Sequence, residues 1–158
     1  METTTNITIR VYGIIFIEKN KILISDEIVH GDYITKFPGG GLQYGEGTIE
    51  ALKREAIEEC NQTIEVIEHF YTTDFFQPAF YLPNTQVLSI YYLARFTEKP
   101  QFKISHKKFD FEKKEDFEIS FRLLDLEKAD TSEFSLPIDK YVFDLLKQNL
   151  SKIKSNVF

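Results

Sequence analysis

Apolar positions run along this chain with two different periods. Residues 7–17, ITIRVYGIIFI, are almost unbroken and rich in β-branched side chains. The run stops at Glu18-Lys19-Asn20-Lys21 and resumes at Ile22-Leu23-Ile24, a pattern that predicts a β-hairpin. Val29 to Lys36 alternates weakly and predicts a further strand, which delivers the chain to Phe37-Pro38, where proline stiffens the backbone. The period then changes. With Thr48 as N-cap, a helix to Cys60 turns Ile49, Leu52, Ala56 and Cys60 into one apolar stripe at about 100° per residue.

Strand-like runs return at Ile64 to Thr73 and Gln86 to Phe96. Between them lies DFFQPAFYLPN, whose rings, prolines and Asn84 turn predict a loop or hairpin that projects bulky side chains. Glu98 to Glu118 mixes charges with isolated aromatics, so neither a buried helix nor a buried strand is indicated, and an excursion carrying a short exposed hairpin is expected. A strand follows over Ile119 to Leu124. Ser135-Leu136-Pro137 then opens a C-terminal helix, with proline in its first turn and a stripe of Ile138, Tyr141, Val142, Leu145, Leu146 and Leu150 to dock on the sheet. The last residues, SKIKSNVF, are expected to fray. Strands before and after one central helix, with a second helix at the end, predict α/β layering around a mixed sheet. No repeat, linker or shift of composition divides residues 1–158, so one domain is expected.

Aromatic residues make up 15% of the chain, with fifteen Phe and no Trp, which supplies rings for a core and for a pocket wall. A formal charge of −6 and a pI near 5.1 argue against binding polymeric nucleic acid, which needs a basic face. An anionic substrate would have to arrive with a metal. Lys103, His106, Lys107, Lys108, Lys113 and Lys114 are available to meet phosphate, although surface lysines ordinarily serve solubility. His30, His69 and His106 show no zinc-ligand spacing, and the single Cys60 falls on the apolar stripe, as a core side chain does. Without a long apolar run or a signal-like N-terminus, the expected setting is cytoplasmic and away from membranes.

Candidate chemistry concentrates in Phe37 to Asn61, FPGGGLQYGEGTIEALKREAIEECN. Five of the seven glycines lie between Gly39 and Gly47, and the helix that follows gathers Glu55, Glu58 and Glu59 at spacings of three and four. Like charges so placed destabilise a bare helix by a few tenths of a kcal/mol per pair, and something positive should offset them. A hard divalent cation held by carboxylates and substrate phosphates fits. The plainer alternative is a solvated face laced by Glu50–Arg54 and Arg54–Glu58 pairs.

The stretch resembles the Nudix box, G-x5-E-x7-R-E-U-x-E-E-x-G-U, with U aliphatic. It starts at Gly40, reaches Glu46 and then Arg54-Glu55, and ends on Glu58-Glu59, with Asn61 in place of the family's glycine and Gln62 in place of an aliphatic residue. Asn is the next-best residue at a left-handed helix terminus, and Ile64 is positioned to supply the apolar side chain that Gln62 lacks. The resemblance implies an α/β/α sandwich with a central mixed β-sheet. It also implies a hydrolase of the pyrophosphate bond in a nucleoside diphosphate linked to another moiety. By matching positions, Glu55, Glu58 and Glu59 would hold Mg²⁺ (or Mn²⁺ as substitute) with the Gly39 carbonyl, while Arg54 would pair with Glu46. The acid that activates water would be Glu55, or one of Glu115, Asp116 and Glu118, with Glu118 favoured because it borders a strand. Phe75, Phe76, Phe80 and Tyr81 would either wall a nucleotide pocket or plug the end of the sheet. A nucleotide sugar such as ADP-ribose is expected first, because Pro78 lies sixteen residues beyond Gln62 where ADP-ribose hydrolases of the family tend to carry proline. The alternatives are a house-cleaning nucleoside triphosphate pyrophosphohydrolase and a non-catalytic nucleotide-binding sensor. A homodimer is compatible with the sequence.

Overall fold

The computed structural model describes residues 3–158. Strand β1, Asn6–Glu18, explains the unbroken apolar run: it is buried on both faces from Val11 to Phe16. Tyr12, Ile14 and Phe16 face one layer of the core, and Val11 and Ile15 face the other. Strand β1 pairs in parallel with β6, Thr85–Phe96, and turns at Asn20 into an antiparallel hairpin with β2, Lys21–Val29. His30-Gly31 turns β2 into β3, Asp32–Lys36, and β4, Gly39–Gly41, lies against β1 with Gly41 opposite Arg10. With β5, Ile64–Thr72, β7, Ile104–Ser105, and β8, Ile119–Asp125, the strand order is β5-β6-β1-β2-β8-β7. The sheet is mixed, as expected.

Helix α1, Thr48–Cys60, covers one face through Ala51, Leu52, Ala56 and Cys60. Two details depart from the sequence expectation. Gly47, not Thr48, holds the N-cap position, and Thr48 begins the helix with its hydroxyl 2.6 Å from that of Tyr92. Ala51 lies on the buried face, while Ile49 stands on the flank, 43% exposed. The Glu50–Arg54 pair of the solvated-face alternative does not form, because Glu50 turns back to accept the Gly47 N–H at 2.6 Å. At the other end Asn61 is left-handed, φ 52° and ψ 34°, and its N–H caps the Ile57 carbonyl. Gln62 reaches across to Lys99 and Gln101, accepting from the Gln101 N–H at 2.6 Å, while Ile64 is buried as the apolar residue that opens β5.

The opposite face is covered by α2, Pro137–Gln148, and α3, Leu150–Val157. The buried positions of α2 are Ile138, Asp139, Val142, Phe143 and Leu146, so the face includes Phe143 and excludes Tyr141, whose ring packs on Tyr71 and Phe75 instead. The expected fraying is not seen. After Asn149, residues 150–157 form α3 and dock Ile153 and Val157 into the core. The excursion from Glu98 makes no hairpin. Its two-residue strand β7 runs parallel to β8, and Phe102 packs on Phe96 and Phe121 over the sheet's edge. Among the described residues no helix is long and apolar enough to cross a membrane.

Candidate active site

One arginine ties the glycine loop to the helix. Arg54 donates through Nε and Nη2 to the two oxygens of Glu46, at 2.9 and 2.7 Å, and through Nη2 to the Gly41 carbonyl at 3.0 Å. Its Nη1 reaches Glu55 at 3.0 Å and Glu58 at 3.2 Å. The bidentate bond to Arg54 holds the Glu46 carboxyl down at about 2. Space dictates one glycine, and a second sits where the Glu55 carboxylate would have to move for a side chain. Gly39 has φ +145°, and a side chain there would overlap the Val11 carbonyl oxygen; a Cβ on Gly40 would overlap the Glu55 carboxylate.

On the inner side of the loop stands a buried ammonium. Lys36 Nζ lies 2.9 Å from Glu27 and donates to the Gly39 carbonyl at 3.1 Å. Burial works against that charge, yet Glu27, Tyr12 and Glu59 more than offset it and the Lys36 pKa is raised. Burial likewise pushes the Glu59 carboxyl up to about 7, with Glu27 and Glu55 adding to the rise and Lys36 opposing it. Among the described residues, no three acidic, histidine or cysteine side chains converge on one point, since Glu55 and Glu58 are drawn toward Arg54. The donor chemistry nevertheless fits a hard divalent ion. Three carboxylates share one helix face, Glu59 has no ion pair among the described residues, and the Gly39 carbonyl is already served by the Lys36 ammonium.

Beside the loop opens a cavity of about 320 Å³, walled by β1, β2, β3 and β6 and by the 77–82 segment, with the start of α2 at its end. Arg10, Tyr12, Glu27 and Lys36 line the side toward the glycine loop, and Tyr91 and Asp139 line the far side. Asp139 Oδ1 accepts from the Tyr91 hydroxyl at 2.7 Å, whereas Oδ2 is buried with no partner among the described residues. Burial pushes the Asp139 carboxyl up to about 7. At the mouth, Phe117 adopts φ 69°, a conformation that bulky residues rarely take, and its ring meets His30 edge-on.

The residues expected from sequence are distributed as follows. Glu46, Arg54, Glu55, Glu58, Glu59 and Gly39 come together at the loop–helix junction. Of the four aromatic candidates, Phe80 and Tyr81 line the cavity; Phe75 packs edge-on against Tyr141 and Phe76 is 64% exposed, both outside it. Glu118 directly precedes β8 and does not line the cavity; its backbone carbonyl accepts from the Ile28 N–H, and Asp116 caps the Gly31 N–H at 2.8 Å. None of the lysines of the excursion lines the cavity; Lys103 pairs with Asp110. Arg10, Glu27, Lys36 and Asp139 were not singled out by sequence. For Glu27 a signal existed, since Ser25-Asp26-Glu27 interrupts an otherwise apolar strand, and for Asp139 it was helical spacing, because Asp139 shares a face with Val142, Phe143 and Leu146. Asp26 is explained structurally, bound by Arg122 at 2.6 Å and by Thr35 at 2.7 Å.

The model of the NUDIX domain matches residues 7–144. No curated protein matches the chain significantly by sequence. Among solved structures, a NUDIX hydrolase from Nitrosomonas europaea is similar with a TM-score of 0.65 at 18% identity, over 87% of this chain and 86% of that one. A MutT NUDIX hydrolase from Burkholderia pseudomallei gives 0.66 at 15% identity, over 89% and 98%. An ADP-ribose pyrophosphatase from Streptococcus suis gives 0.59 at 16% identity, over 92% and 91%. At these identities the likeness is one of fold.

Proposed function

The chain belongs to the Nudix hydrolase family, and from that premise we propose that it cleaves the pyrophosphate bond of a nucleoside diphosphate linked to another moiety, with a nucleotide sugar such as ADP-ribose as the first candidate. The observation that carries this reading is the junction of the acidic loop–helix unit with a cavity of nucleoside size, about 320 Å³. Glu55, Glu58, Glu59 and the Gly39 carbonyl are the residues that would hold Mg²⁺, or Mn²⁺ in its place. When bound, such an ion neutralises phosphoryl charge and favours deprotonation of water. The rest is done by the chain. Arg54 keeps the loop and the helix in register, so that the diphosphate lies across the glycines, and the proton of the attacking water passes to Glu55 or to Glu118. The nucleoside end enters the cavity, where Phe80 and Tyr81 supply ring surface. The setting proposed is cytoplasmic and the ligand a small-molecule nucleotide.

A second reading, a nucleoside triphosphate as substrate, is favoured by Asp139. An unpartnered buried carboxylate oxygen at the end of the cavity is an acceptor for an N–H on a base edge. The measurement that decides is kcat/KM for ADP-ribose against dGTP and its oxidised form at equal Mg²⁺. An advantage for ADP-ribose supports the first reading, and a tenfold advantage for either triphosphate replaces it with the second. Glu118→Gln at saturating substrate and Mg²⁺ separates the two candidates for the water's base: collapse of kcat assigns Glu118, and near-parental turnover leaves Glu55.

A further inference from the structure

We propose that Arg10 is the seat for the substrate's phosphate on the cavity side of the scissile bond, a role that rests on the pyrophosphate reading above. The chain has four arginines, and three have carboxylate partners: Arg54 with Glu46, Glu55 and Glu58, Arg95 with Glu65, and Arg122 with Asp26 and Glu133. Arg10 has none within ion-pair distance among the described residues. Tyr12 beside it does most to favour its charge, and Glu27 and Glu55 act on it only through space. Among the described residues the half-buried guanidinium makes one hydrogen bond, from Nε to the Tyr12 hydroxyl at 2.7 Å, which fixes the plane of the fork and leaves Nη1 and Nη2 without acceptors there. In a chain of net charge −6, a half-buried arginine with no ion-pair partner among the described residues keeps most of its fork for an anion that is not part of the chain.

Position supports the assignment independently. Arg10 pairs in register with Gly41, and its Nη1 lies 3.9 Å from where a Cβ on Gly41 would stand, so it occupies the seam between the glycine loop and the cavity. The group that crosses this seam in a bound nucleotide is a phosphate, and a guanidinium fork meets two phosphate oxygens at once. The far end of the cavity is built in mirror fashion. The Tyr12 ring stacks on Tyr91 at 5.2 Å, and Tyr91 holds Asp139. Two stacked tyrosines thus support a donor at the loop end and an acceptor at the α2 end. The ligand has one direction of insertion, with its anionic part at Arg10 and an N–H-bearing part at Asp139.

The test is calorimetric titration of the metal-free protein, in EDTA, with inorganic pyrophosphate, a probe that carries no base and needs no turnover. Arg10→Met should weaken binding at least tenfold and Arg10→Lys about threefold, since lysine keeps the charge and loses the fork, whereas the surface variant Arg95→Met should bind as the parent does. Arg10→Met that binds within twofold of the parent overturns the proposal, as does a parent that binds no pyrophosphate. Should Arg10→Met fail to fold, Arg10→Lys decides, and affinity equal to the parent's overturns it. The two readings fail separately. A protein inactive on every diphosphate and triphosphate tried, yet losing pyrophosphate at Arg10→Met, refutes the hydrolase reading and leaves the seat in place.

Discussion

Replacing Asp139 with asparagine should stabilise the protein at alkaline pH and do much less at acid pH. Asp139 is fully buried in the first turn of α2, with the Tyr91 hydroxyl on one oxygen and, among the described residues, nothing on the other. Desolvation raises its pKa from 3.8 to about 7, although Tyr91, Lys36 and Arg10 favour the charged form, and Glu27 adds to the rise. The sign follows from linkage. A group whose folded pKa is raised contributes stability that is present below its unfolded pKa and is lost as pH rises through the folded one. The window is therefore pH 4 to 7. A shift of this size corresponds to ~4 kcal/mol as an upper bound above pH 7, of which ~1.5 kcal/mol is already lost at pH 5. Asparagine retains an oxygen for Tyr91 and has no charge to desolvate, so the advantage of Asp139→Asn should grow by about 2 kcal/mol between pH 5 and pH 8. For a domain of this size that is roughly 4–8 °C in Tm. Thermal unfolding of both proteins at half-unit steps from pH 4.5 to 8.5 reads the effect. A gap between the two that does not change with pH, or an asparagine variant less stable at pH 8, would refute the reasoning.

Glu59→Gln should abolish Mg²⁺-dependent hydrolysis and, because the Glu59 carboxyl is raised to about 7 by burial, should raise the metal-free Tm at pH 8 while leaving it near the parent's at pH 4; near-parental turnover removes the assigned role. Asn61→Gly should hold or raise Tm and Asn61→Val should lower it, by about 1–2 kcal/mol for a β-branched residue forced to positive φ, with equal melting temperatures as the contrary result. Gly39→Ala should cost at least several kcal/mol, since a methyl group has no room beside the Val11 carbonyl, and a soluble variant that unfolds within about 1 kcal/mol of the parent in urea would show that the loop can yield.

What was legible in the sequence was whatever depends on neighbours along the chain. The β-branched run of β1, the helix from Thr48 to Cys60 and the left-handed Asn61 each follow from local periodicity or backbone preference, and the Glu46–Arg54 pair follows from a motif of fixed spacing. What escaped was set by distant parts meeting. Phe75 and Phe80 are the same residue type in the same loop, and nothing in the sequence tells them apart, yet one ring is claimed by Tyr141 of α2 and the other faces the cavity. Arg10 and Lys36 read as ordinary strand polarity until β4 and β1 bring them to the glycine loop. The C-terminal α3 has a weak pattern of its own and is held by Phe158 on Phe16 and by Arg95 on the Val157 carbonyl, contacts about sixty or more residues away in the chain.

The parallel ladder between β1 and β6 has a kinetic consequence. It joins Asn6–Phe16 to Thr85–Arg95, partners 79 residues apart in the chain, and contacts of such separation form late and slowly. The glycine strand β4 is registered on β1, and the Gly13 N–H is bound by the Pro38 carbonyl just ahead of it. The loop that carries the acids is thereby fastened to the element whose placement comes last. Its amides should exchange with solvent only when the whole molecule opens, and a chain emerging from synthesis acquires a working site only after residue 95 has joined the sheet.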